Sequence, residues 1–188
     1  MNDPTVPGAH ERPVADAPAE ARAFPAFVPS FLTTPRRPLI AIVGAWLLCI
    51  LGSLMLAAIV RAILPQGDAP DFSALQELGP GVILFSLVIF APVVETLIMG
   101  CVLLVLQLFM RPGYAVIVSA AGWAVAHSMQ AAIWGLVIWW PFLIFSLLFV
   151  VWRQRSLWLA FLLPALVHMM QNSLPALTVA FPELLGVA

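Results

Sequence analysis

"IFAPVVETLIMGCVLL", Ile89 to Leu104, holds one carboxylate, Glu95, in the middle of an uncharged run from Gly81 to Met110. A run of this length and apolarity reads as a helix that crosses a bilayer. Hydrocarbon offers no water to solvate a carboxylate, and a charge at mid-membrane costs on the order of 3 kcal/mol or more. Glu95 therefore marks a functional site by default, one that needs polar groups from the rest of the chain. Shortly before it, Pro92 lacks a backbone N–H and is expected to free the carbonyl of Val88. Freed backbone at membrane depth is tolerated where it lines a cavity.

The Glu95 run is longer than a perpendicular span, so it should tilt or kink. Downstream, Arg111-Pro112-Gly113 is a tight turn. A third span starts near Tyr114, carries Trp123 and His127, and ends between Gln130 and Gly135. A fourth covers Ile133 to Trp152, with Pro141 inside. After the basic turn Arg153-Gln154-Arg155-Ser156, a fifth starts near Leu157 and carries Pro164, His168 and Asn172. Pro175 is expected to end or bend it. Trp134, Trp139, Trp140, Trp152 and Trp158 lie near span ends, where interfacial aromatics are expected.

Upstream lies an acidic loop in which Ser73 and Gln76 form a capping-box pattern, with Phe72, Leu75 and Leu78 on one face of a short interfacial helix. The first span runs from about Leu39 to Leu64. Residues 1–35 are rich in Pro and Ala, lack periodicity and read as a disordered cytoplasmic tail; residues 36–188 read as one transmembrane domain.

The composition agrees. The chain of 188 residues is 63% hydrophobic and 9% charged, whereas a soluble domain is about 45–50% apolar and about 25% charged. The fold class is an all-α, polytopic membrane bundle of about five transmembrane helices. A net charge of −1 gives no footprint for nucleic acid. All eight basic residues are Arg, which with abundant Ala and Pro suggests a GC-rich, bacterial genome. Cys49 and Cys101 lie in apolar runs and read as buried free thiols. With five spans, Arg36, Arg37, Arg111, Arg153 and Arg155 share one side and Asp68, Asp71 and Glu77 the other, while Arg61 disagrees. The positive-inside rule then puts the N-terminus inside and the C-terminus outside a bacterial cytoplasmic membrane.

Helix rise puts Glu95 about 22 Å, His127 about 20 Å and His168 about 16 Å from the cytoplasmic ends of their spans. His168 and Asn172 share a helical face. One polar cavity among spans two, three and five is the economical inference. A carboxylate with two imidazoles can bind a divalent metal such as zinc, with Glu95, His127 and His168 as ligands and a position left for water. Alternatively, Glu95 acts as general base on a water that the histidines hold. Asn172 offers an amide donor to an oxyanion. Either arrangement suits peptide-bond hydrolysis inside the membrane.

"APVVETLIMG", "WAVAH" and "HMMQN" resemble the three motifs of the CPBP family, the CAAX-protease and bacteriocin-processing intramembrane proteases. Those motifs are a Pro followed by EExxxR, then FxxxH, then HxxxN, and the resemblance covers roughly residues 80–177. It implies a helical intramembrane endopeptidase, often described as a metalloprotease, acting on a membrane-embedded or membrane-anchored peptide. It implies Glu95, His127, His168 and Asn172 as the catalytic set, with Trp123 in the aromatic position. Two positions depart from the pattern: the second Glu is Thr96 and the Arg is Gly100. Paired loss strands no buried charge, and restoring the pair by Thr96→Glu with Gly100→Arg is expected to leave activity present or raise it. Other readings are a non-catalytic relative that binds a membrane partner, and a transporter using Glu95 and the histidines as a proton relay. Against transport, no internal repeat is visible.

Overall fold

The computed structural model describes residues 24–66 and 70–183. Among these residues all regular structure is helical. α1 is a single turn, Ser30–Thr33, and α2 is Pro38–Ile63. α3 is another turn, Ser73–Gln76. α4 spans Pro80–Leu106 and contains a π-helical stretch, Phe85–Phe90. α5 is Pro112–Ser128, α6 Trp134–Arg153 and α7 Leu157–Ala180. Three of these long helices begin on a proline, whose missing N–H is harmless in a first turn. Gly79, at φ 85°, supplies the left-handed turn into α4.

α2, α4, α6 and α7 are long and apolar enough to cross a membrane. The expected third span, α5, has 17 residues and sits at the lower limit of spanning length. α5 starts beside Leu147 at Arg111 and Tyr114 and ends with His127 against Trp134, so it runs antiparallel to α6, and contacts at the two ends of the bundle set the directions of the others. At one end Arg155 donates to the carbonyls of Pro35 and Arg36. At the other, Phe72 packs edge-on against Trp134, and Gln76 Nε2 donates to Val179 O. The five long helices therefore alternate in direction.

α6 is the centre: 61% of its apolar window is buried, against 22% for α2. Between helices in lipid there is no hydrophobic drive, so close packing and polar contacts decide association. α2 accordingly turns the small residues Ala41, Ala45 and Cys49 inward, all at 0% exposure. Between α5 and α6, Ser146 Oγ donates to Ser119 Oγ in a buried contact of 3.1 Å, worth about 0.6 kcal/mol. The outward faces carry Leu39, Leu51, Leu54 and Met55, as a lipid-facing surface should.

Several local expectations change. Residues 1–23 of the expected tail lie outside the described residues, but 24–35 are ordered. Leu32 is buried, and Phe24, Val28 and Phe31 pack on the core, with the Phe31 ring over Gly44. Prolines hid this apolar spacing. At α3 the capping box does not form: Asp71 Oδ1 instead accepts the Ser73 N–H at 2.9 Å, which holds the Asp71 carboxyl below its ordinary pKa. Pro175 does not end α7, which continues to Ala180. Trp152 is fully buried and Trp140 bonds inside the bundle, so neither is an interfacial anchor. Cys49 is buried as expected, but Cys101 is exposed on the outer face of α4.

Candidate functional site

Glu95, His127, His168 and Asn172 line one cavity of about 230 Å³. α4 supplies Glu95, α5 supplies His127, and α7 supplies His168 and Asn172. Neither histidine faces lipid: His127 is 7% and His168 3% exposed. Glu95 keeps 25% of its side-chain surface open.

Glu95 Oε2 lies 3.6 Å from His168 Nε2. That is beyond a direct hydrogen bond but close enough for one water to touch both groups. The other ring nitrogen of His168 lies 3.4 Å from Thr96 Oγ1. In the tautomer with hydrogen on Nε2, the Thr96 hydroxyl donates to Nδ1 and the Nε2–H faces the Glu95 side. The ring is clamped by Phe145, stacked at 4.7 Å, and Phe142, edge-on at 5.3 Å. Thr96, the departure from the EE pair, thus holds the histidine directly.

His127 is oriented differently. Its Nδ1 donates to Trp123 O, one turn back, at 2.9 Å. In the neutral ring this leaves Nε2 as an acceptor. Trp134 meets the ring edge-on at 4.7 Å, and Phe142 lies 5.5 Å away. Trp123 itself stacks on Phe142 at 4.6 Å, so the motif aromatic acts through its carbonyl and through Phe142.

Asn172 explains the π stretch. The Ala91 N–H bonds Ser86 O, five residues back. In that register the next acceptor is Leu87 O, and Pro92 has no N–H to give it. Asn172 Nδ2 donates to Leu87 O instead, at 3.0 Å. The carbonyl that proline frees is therefore Leu87's rather than Val88's, because the helix is π and not α at this point. One amide hydrogen of Asn172 remains for the cavity.

Sequence reasoning missed part of the wall. α6 contributes Pro141, Phe142 and Phe145, α2 contributes Ser53, and the loop between α2 and α3 contributes Phe72. Gln171 also lines the cavity; its Nε2 donates to Ser53 Oγ at 3.3 Å, and its Oε1 is buried without a partner among the described residues. Phe142 touches both imidazoles, yet an apolar residue in an apolar helix gives no signal. Its depth, about 16 Å from Arg153, matches that of His168 and was the available clue.

Among the described residues no three His, Cys, Asp or Glu side chains gather as a metal-holding group. Glu95 and His168 meet, and the His127 Nδ1 bond to Trp123 O leaves Nε2 as the nitrogen that would take a metal. Glu95, His127 and His168 would hold such an ion, which would supply a Lewis acid for the bound water. No family model, curated protein or solved structure matches the chain. The likeness to the CPBP family rests on the three motifs alone.

Proposed function

We propose that this chain is an intramembrane endopeptidase of the CPBP type. The observation that carries the reading is the 3.6 Å approach of Glu95 to His168 in a cavity that His127 and Asn172 also line. Glu95 takes a proton from a water lying between its carboxylate and the His168 Nε2–H. The water oxygen bonds to the carbonyl carbon of the scissile peptide. The remaining amide hydrogen of Asn172 faces the oxyanion that forms. The C–N bond then breaks, and the proton on Glu95 passes to the leaving nitrogen. His127 Nε2, a neutral acceptor, orients the water or the substrate N–H.

A cavity of about 230 Å³ lies below the usual range of roughly 300–1,000 Å³ for small-molecule sites. It takes a short extended stretch of backbone, so a helical substrate unwinds locally to enter. The substrate class is the leader peptide or membrane anchor of an exported protein. The membrane is the bacterial cytoplasmic membrane, with the N-terminus inside.

The test is processing of the natural membrane-anchored substrate in vesicles. Glu95→Gln keeps side-chain volume and removes proton transfer, so turnover is expected to fall at least about 100-fold, with insertion intact. Substrate capture without cleavage by the unaltered chain would favour the non-catalytic binding reading.

A further inference from the structure

α2 and α5 both pack on α6 but scarcely on each other. Between α5 and the segment 24–32, whose Phe24, Phe27, Val28 and Leu32 form the wall on the α2 side, lies a groove of about 890 Å³. It lies across α6 from the Glu95 cavity: Leu143, Ile144 and Leu147 floor the groove, whereas Pro141, Phe142 and Phe145 face the cavity. The inner end is Trp140, whose indole N–H donates to Leu48 O at 2.8 Å, so its polar atom is already satisfied. The outer end is Arg111, capping α5, with Tyr114 one turn on. Both are exposed. From Leu147 to Trp140 the groove descends about 10 Å, within one leaflet of a hydrocarbon core about 30 Å thick.

The charge at the outer end is one-sided. Arg155 reaches the carbonyls of Pro35 and Arg36, which gathers Arg36, Arg37, Arg153 and Arg155 at the same end as Arg111. Among the described residues no carboxylate pairs with Arg111. An apolar groove one leaflet deep beneath a guanidinium matches an acyl chain beneath a phosphate. Arginine's planar fork suits phosphate oxygens. Residues 1–23 carry Pro, Asp and Glu throughout and have no apolar run to fill it.

The geometry points to a binding site for one anionic phospholipid of the phosphatidylglycerol type. One acyl chain lies on the α6 floor, the phosphate on Arg111, and the ester region beside Tyr114. The site is independent of the peptidase reading. The test is native mass spectrometry of the full chain released from nanodiscs of equal phosphatidylglycerol and phosphatidylcholine with matched chains. The chain should retain one phosphatidylglycerol with about fivefold preference, the value of one basic residue at an anionic surface. Arg111→Gln should bring the preference to parity, and Leu143→Trp, which fills the groove, should abolish retention of either lipid. Thermal unfolding in detergent checks that both variants are folded; if Leu143→Trp is not, Ile117→Trp fills the groove from α5. Retention of no lipid, or an unchanged preference in Arg111→Gln, overturns the proposal. Retention seen only after deletion of residues 2–23 also overturns it, by making the tail the occupant.

Discussion

Thr96 and Gly100 are the residues at which the motif likeness is weakest and the structure most informative. The sequence marks both as departures but gives no reason for them. Thr96 is buried and within 3.4 Å of His168 Nδ1, so a neutral hydroxyl does the positioning at that nitrogen. At Gly100, an added Cβ would collide with Phe161 Cε1 and lie 2.6 Å from Phe149 Cε2. Two rigid rings fill the place where the family has Arg. Thr96→Glu with Gly100→Arg is therefore expected to destabilise the bundle, whatever it does to activity: overpacking costs roughly 1–3 kcal/mol, and the double variant should unfold at lower temperature in detergent. Adding Phe161→Ala should recover most of that loss, and a double variant as stable as the parent would show that the rings move aside freely. At the same scale Thr96→Ser should keep turnover, whereas Thr96→Val, which removes one hydrogen bond worth about 1 kcal/mol, should lower it severalfold.

At the scale of helices, the span carrying Glu95 and the polar faces of α5 and α7 were legible, because a charge or imidazole in an apolar run has few harmless explanations. The π stretch and the part played by α6 were not. A π turn has no composition of its own, and α6 reaches the cavity without a charged or imidazole side chain, through Trp134, Val137, Ile138, Pro141, Phe142 and Phe145. Pro92 links the two: it leaves Leu87 O for Asn172. Pro92→Ala restores an N–H that can take that carbonyl, so Asn172 should lose its partner. An interior proline costs up to about 3 kcal/mol, so the variant should unfold at higher temperature while processing substrate more slowly. Raised stability with unchanged turnover would remove Asn172 from the account.

For the molecule as a whole, alternation of five helices was readable from hydropathy and the arginine pattern, whereas the boundary of the tail was not. Leu32 and Phe31 pack on the bundle although prolines surround them. Truncation of residues 2–23 should leave thermal unfolding unchanged, and truncation through residue 34 should lower stability by roughly 2 kcal/mol, the lower cost of losing a buried apolar side chain. A reporter fused after Ala188 should behave as exported; a cytoplasmic reporter would contradict the arginine-based orientation. The central claim is that Glu95 and His168 act as one catalytic unit on one water. It is tested most directly by a double-mutant cycle on substrate turnover in vesicles, with Glu95→Gln, His168→Ala and the pair. Residues that act as a unit are non-additive, so the pair should be about as impaired as the worse single variant. Losses that multiply, or full turnover by Glu95→Gln, would contradict it.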